Sequence, residues 1–336
     1  MKTMAQIAEE AGLSRFTVSK ILNGDTSVKK ENRKKVLELC EKYGFVPNSN
    51  AVNLVSRSSR VIGMIVPYIT DGFYAELIEL TEKYASAKGM GLVYQSSYND
   101  ITVEEKILRS FMGLNVAAIL LVPVVGQGSS RIRQLAAADL PVICLDRPVA
   151  EETFSCVLND NRSSSCAMTS HLLEKTRQVY FLDSFYRDSN PTALARRQGY
   201  LDAMASAGAE PLFIPLFSSC EQQDNERYGY EHLAAFLKER SRPPEALYCV
   251  TDAVALGAMR ALREAGFVPG KDTLVGGHDN LHFCEYTTPA LTSMAQPKEQ
   301  MAQIAVDMAL ARIADKNLAP EVVTLKSLLV IRDSSC

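Results

Sequence analysis

The stretch LSRFTVSKILN, residues 13–23, sets Arg15, Phe16 and Lys20 at the start of a predicted helix and along one face of it. Those types at that spacing suit reading of base edges. A guanidinium can give two parallel hydrogen bonds to guanine O6 and N7, and an aromatic ring can pack on a thymine methyl. A lysine one turn on can reach a guanine or a phosphate. Ser14, Thr17, Ser19 and Asn23 surround them as short polar groups suited to phosphate contacts, which set register without reading sequence. A second constellation, His278-x-x-x-His282-x-Cys284, has the residue types of a zinc site and invites a metal-dependent enzyme. The chain has only 4 His, and this spacing falls partly on a predicted loop, so the cluster reads as incidental and no metal is expected. No GxSxG, P-loop or Gly-rich dinucleotide fingerprint occurs, and the chain is not expected to be an enzyme.

The elements that would carry the first constellation follow from periodicity. Residues 4–11 and 15–22 each repeat apolar positions at helical spacing: Met4, Ile7, Ala8 and Ala11, with Leu13 following, then Val18, Ile21 and Leu22. Gly12 supplies a helix stop and Ser14 an N-cap oxygen for the second helix. A third helix is predicted near 30–43, with Val36, Leu37, Leu39 and Cys40 inward; Pro47 forbids its continuation. Helix, glycine turn and helix at this spacing make a helix-turn-helix, whose second helix enters the major groove. The competing reading is a plain three-helix bundle. Charge weighs against it: residues 1–60 hold 11 Lys and Arg against 6 Asp and Glu, while the rest of the chain holds 25 against 33. A basic head on an acidic body implies a polyanionic partner for the head alone.

Residues 48–60 are polar, rich in Ser and Asn, and read as a linker. From Val61 onward, short continuous apolar runs such as VIGMIV, AAILLV, PVICLD, ALYCVTD and TLVGGHD alternate with helical patterns. Continuous runs mean strands covered on both faces, hence parallel sheet. There are too many strands for one sheet. An α/β core of two doubly wound parallel-sheet lobes is therefore expected, with a crevice at the strands' carboxyl ends. The tail EVVTLKSLLVIRDSSC ends in a strand without heptads. Eight scattered Cys without a CxxC pair fit a reducing compartment. With no signal pattern and no apolar run long enough to span a bilayer, a cytoplasmic, nucleoid-associated protein without a membrane partner is expected.

The segment IAEEAGLSRFTVSKILNGDTSVKKENRKKVLELCEKYGFVPN resembles the headpiece of the lactose-repressor/galactose-repressor (LacI/GalR) family, whose pattern is VAxxAGVSxxTVSRVLN followed by VSxxTRxRVxxAxxxLGYxPN. Later blocks follow in family order: SRVIGMIVPYITDGFYAELI, AAILLVP, PVICLDRP, RRQGYLDAMASAG, TDAVALGAMRALREAG and GGHDNLHFCEYTTPALTSMAQP. The resemblance implies a homodimeric repressor on a pseudo-palindromic operator, with a periplasmic-binding-protein-like type I core that holds a small sugar or sugar phosphate and needs no cofactor. It implies a headpiece at 1–46, a hinge at 47–60 and a core at 61–336. The first lobe would comprise about 61–158 and 293–322, the second 159–292 and 323–336. It also gives the linker a role: Leu54 matches a leucine that wedges into the minor groove, with Asn48 and Ala51 close by, because an apolar wedge unstacks and kinks the duplex.

For the core, the family's ligand positions fall on Phe73 and Tyr74 after the first core strand, and on Asp146 and Arg147 ending PVICLD. Arg196, Thr251, Asp279 of GGHDN and Gln296 near the lobe crossover complete the set. Each has a structural alternative. Arg147 and Arg196 could be surface ion-pair residues, and Asp279 could only cap a turn. The chain departs from the family pattern at Thr251, where Asn is usual, at His278, where an aromatic is common, and in LLEKTRQ, which lacks a Gly-His. LDRP and NPTALARRQGY look closest to the fructose- and sucrose-responsive branch, and induction by the ligand is expected rather than corepression.

Overall fold

The protein is described by a computed structural model covering residues 2–22, 25, 27–45, 59–124, 140–149, 154–185, 188–216, 224–238, 240 and 242–336. Asn23, Asn48, Ala51 and Leu54 lie outside these residues, as does most of the hinge. The described residues fall into two units, residues 1–60 with Gly113–Val116, and the remainder of the chain.

In the first unit, α1 (Met4–Ala11) begins at a capping box. Gln6 N–H donates to Thr3 Oγ1, and Thr3 N–H donates back to Gln6 Oε1 at 2.9 Å. Gly12 ends it at φ 70, a left-handed conformation that costs glycine nothing. α2 (Arg15–Leu22) starts at Ser14, whose Oγ accepts from Thr17 N–H at 3.1 Å. α3 (Lys30–Tyr43) stops at left-handed Gly44. Ile7, Ala8, Ala11, Val18, Ile21, Val36 and Cys40 form the small core. Leu37, expected inward, is 49% exposed. Val36 and Cys40 share a stripe one turn apart, and the next residue rotates about 100° off it.

The second unit holds two six-stranded sheets. Its first strands and helices are β1 (Val61–Val66), α4 (Gly72–Ala87), β2 (Gly91–Ser96), α5 (Ile101–Gly113), β3 (Ala118–Leu121), β4 (Val142–Leu145) and β5 (Ser155–Asn159). The chain continues with α6 (Asn161–Leu173), β6 (Val179–Leu182), α7 (Pro191–Ser206), β7 (Leu212–Phe213), α8 (Asn225–Lys238), β8 (Ala246–Cys249), α9 (Asp252–Glu264) and β9 (Leu274–Asp279). β10 (Thr292–Ala295), α10 (Lys298–Ala314), β11 (Val322–Leu325) and β12 (Leu328–Val330) complete it. The sheet orders are β11-β5-β4-β3-β1-β2 and β12-β10-β9-β8-β6-β7. Every pairing is parallel except β10 with β12. Parallel strands return through helices, and the buried runs Ala118–Leu121, Val142–Leu145 and Ala246–Cys249 are those that read as continuous apolar segments.

The lobe exchange differs from the expected boundaries at two points. Residues 293–295 pair with β9 and so belong to the second sheet, and 323–325 pair with β5 and belong to the first. The crossings thus lie between β10 and α10 and between β11 and β12, three residues or so beyond those expected. TSMA and VVTL have similar patterns, and only long-range pairing assigns each to a sheet. On the second lobe, α8 and α9 pack at backbone distance: a Cβ on Gly257 would stand 1.8 Å from Glu226 O, and one on Gly229 2.0 Å from Val254 O.

Candidate functional site

In the headpiece, α2 presents Arg15 and Phe16 outward; Phe16 is 70% exposed. Lys20 Nζ lies 5.3 Å from the Phe16 ring centroid and 3.3 Å from Asp25 Oδ2. Asp25 is held down at about 2, chiefly by hydrogen bonds from Ser27 and then by Lys20. Ser14 Oγ caps the helix and lies 2.9 Å from the Thr17 hydroxyl, and both side chains stay at the helix start with Arg15.

In the second unit a cavity of about 360 Å³ opens where the carboxyl ends of both sheets meet. Phe73, Tyr74, Asp146, Arg147, Arg196, Thr251, Asp279 and Gln296 all line it. On the first lobe, Tyr74 OH donates to Asp146 Oδ2 at 2.9 Å, and Arg147 Nη2 donates to Tyr74 OH at 3.3 Å. Arg147 Nη1 donates to Asn99 Oδ1 and to Pro123 O, each at 3.1 Å. On the second lobe, Arg196 gives Nε–H to Asn161 Oδ1 at 2.8 Å, Nη1–H to Val250 O at 2.7 Å and Nη2–H to Asp279 Oδ1 at 3.1 Å. Both arginines are buried, at 7% and 6% exposure, so neither is a surface ion-pair residue.

Asp279 does more than cap a turn. Its Oδ1 also accepts from Gln296 Nε2 at 2.5 Å, and its carbonyl accepts from Lys298 Nζ at 3.0 Å. Gln296 in turn accepts from Asn159 Nδ2 at the end of β5. One side chain at the crossing therefore holds an element of each lobe. Burial, only partly offset by Arg196, Gln296 and Lys298, pushes the Asp279 carboxyl up. Asp146 sits at φ 61 and Asp279 at φ 112, backbone regions that side-chain-bearing residues rarely adopt. Strain at two carboxylates that face one cavity is held by the surrounding structure. Thr251 accepts from Val254 N–H at 3.3 Å and is the N-cap of α9.

The sequence reading missed Asp71, Asn190, Thr192 and Glu226, which also line the cavity. All stand at or next to helix starts that follow strands, the positions that rim such a crevice, and that rule could have found them. Asp71 caps α4 by accepting from Phe73 N–H at 2.9 Å; burial and then Asp279 raise it to about 6.

The zinc reading does not survive the geometry. His278 is fully buried, with Nδ1 2.9 Å from Tyr248 OH, and burial together with Arg196 keeps it neutral. His282 instead lies in a short 3₁₀ turn against Tyr286, with ring centroids 5.0 Å apart, and the Cys284 thiol is pushed up by burial. Among the described residues no three His, Cys, Asp or Glu are grouped to hold a metal ion. Nor is any described helix long and apolar enough to cross a membrane.

A helix-turn-helix with an outward basic face, joined to a two-lobed α/β core with a polar cleft, defines the class of ligand-sensing DNA-binding regulators. Comparison with known proteins makes this specific. Bacterial regulatory proteins of the lacI family match over residues 3–48, and the periplasmic binding protein-like domain matches over residues 171–335. The HTH-type transcriptional repressor PurR of Mannheimia succiniciproducens is 28% identical over 337 residues, covering 99% of this chain and 98% of that protein. The ribose operon repressor of Haemophilus influenzae is 27% identical over 339 residues, again covering 99% and 98%. Among solved structures, the lac repressor dimer bound to operator and an anti-inducer superposes with a TM-score of 0.84 at 20% identity, over 99% of both chains. A LacI family regulator of Enterococcus faecium with bound ribose gives 0.71 at 22% identity, over 82% of this chain and 98% of that one. The chain belongs to the lacI family of bacterial regulatory proteins: it is a DNA-binding transcriptional repressor, not an enzyme.

Proposed function

We propose that a small sugar-type effector bound in the cleft between the two lobes controls operator affinity, and that it acts as an inducer. The observation that carries this is the pair of buried arginine–carboxylate sets, Arg147 with Asp146 and Arg196 with Asp279, facing one cavity from opposite lobes. Planar guanidinium and carboxylate groups, with Phe73 and Tyr74 beside them, match adjacent ring hydroxyls and an apolar sugar face. Asp279 Oδ1 is filled by Arg196 and Gln296, so Oδ2 is the oxygen left to accept from a ligand hydroxyl. Thr251 and Gln296 complete the contacts, and Gln296, tied to both Asn159 and Asp279, registers the lobe angle. The names of similar proteins support a sugar: one relative represses a ribose operon and one structural neighbour holds ribose.

On DNA, Arg15, Phe16 and Lys20 read bases, while Ser14, Thr17, Ser19 and Asn23 contact phosphates. Asn48, Ala51 and Leu54 act at the minor groove. The chain works as a cytoplasmic homodimer on a two-fold operator; in support, the similar lac repressor structure is a dimer bound to operator. Coupling is reciprocal, so operator must weaken effector binding by the same factor. A thermal-shift screen of sugars and sugar phosphates tests the reading, because a true ligand stabilises the native state by mass action. A hit that tightens operator binding would reverse the assignment of induction.

A further inference from the structure

The cleft's own charges and caps decide between a free sugar and its phosphate ester. Among the described residues, the cavity is lined by four carboxylates, Asp71, Asp146, Glu226 and Asp279, against two cations, Arg147 and Arg196. Each cation has a carboxylate beside it: Arg196 Nη2 donates to Asp279 Oδ1 at 3.1 Å, and Arg147 Nε lies 3.8 Å from Asp146 Oδ2. The next cation, Lys298, is spent as well: its Nζ lies 2.5 Å from Glu76 Oε2 and donates to the carbonyls of Asp279 and Asn280.

The usual alternative home for a phosphate is the N-terminus of a helix. Here each of these helix starts already carries a cap from the protein itself. Asp71 takes Phe73 N–H of α4, Asn190 takes Thr192 N–H of α7 at 3.0 Å, and Thr251 takes Val254 N–H of α9. Asp224 takes Arg227 N–H of α8 at 2.7 Å, and Pro191 removes one more N–H from the start of α7. At α4 the cap is itself an acid, so a phosphate there would meet a carboxylate.

Resting on the sugar-type reading above, we infer that the effector is an uncharged polyhydroxylated molecule and that the cleft discriminates against its phosphate esters. An excess of acceptors calls for a ligand rich in hydroxyl donors, and phosphorylation replaces one such donor with a charged group that only accepts.

The test uses the full-length protein and matched pairs: D-fructose with fructose 1-phosphate and fructose 6-phosphate, and D-ribose with ribose 5-phosphate, by calorimetric titration. The free sugar of the binding pair should bind about tenfold or more tighter than its esters, as like charges at a few ångströms in a partly dry site require. Asp71→Asn keeps an N-cap oxygen and should narrow that ratio severalfold. Glu226→Gln, on an exposed position, should act in the same direction. An ester that binds as tightly as its parent sugar overturns the inference, and so does an unchanged ratio in both variants. If neither member of any pair binds, the sugar-type reading itself fails, and this inference falls with it.

Discussion

Asp279 satisfies an arginine, a glutamine and, through its carbonyl, a lysine, while its backbone sits at φ 112. Removing its charge should uncouple the lobes without touching the headpiece. Asp279→Asn is expected to abolish the response to effector while operator binding persists; normal induction in that variant would remove Asp279 from the site. On α2, the outward Arg15 carries the opposite expectation. Arg15→Ala should cost roughly 1–3 kcal/mol of operator affinity and relax specificity at one base pair. A panel of single-base operator variants checks it. Equal losses on operator and random DNA would make Arg15 a phosphate contact and not a base reader.

At the scale of elements, much was legible because local chemistry is strong. Gly12 and Ser14 mark helix ends by left-handed glycine and by capping, and the buried parallel strands show as unbroken apolar runs. What sequence could not give was pairing and rotation. Residues 293–295 and 323–325 exchanged sheets, and Leu37 turned outward although its neighbour Val36 is buried. The eight cleft residues could be placed because a family resemblance supplied them, whereas Asp71 and Glu226 needed the folded crevice to reveal them. The contact between α8 and α9 was equally hidden, since a helical glycine reads locally as a defect. Gly257→Ala would drive a methyl into Glu226 O and should destabilise by roughly 1–3 kcal/mol or more. Gly113→Ala, where nothing lies within 4 Å, should be neutral or slightly stabilising. Denaturation midpoints of the two variants separate close packing from helix propensity, and equal shifts would contradict it.

Across the whole molecule, buried acids and buried histidines pull stability in opposite directions along the pH axis. Burial raises Glu104 and Asp252 each to about 7, and raises Asp71 to about 6. A carboxyl raised in the folded state holds a proton that the unfolded chain has released. Its contribution is full below the unfolded value near 4 and is lost as pH rises through the folded value. His171 and His278 are lowered by burial, so they resist charging and lose stability as pH falls below about 6.5. Exposed Asp25, held near 2 in the headpiece, acts only in stronger acid. Stability should therefore fall between about pH 6.5 and 8, where the histidines no longer vary. Fully buried Glu104 and Asp252 should together account for roughly 1–2 kcal/mol over that interval, a few °C in Tm. Glu104→Gln should flatten the slope by about half, because its Oε2 accepts from Val124 N–H and the amide oxygen can still do so. Thermal melts in buffers of equal ionic strength check it, and a Tm that stays level or rises from pH 6.5 to 8 would show that these carboxyls titrate as ordinary acids.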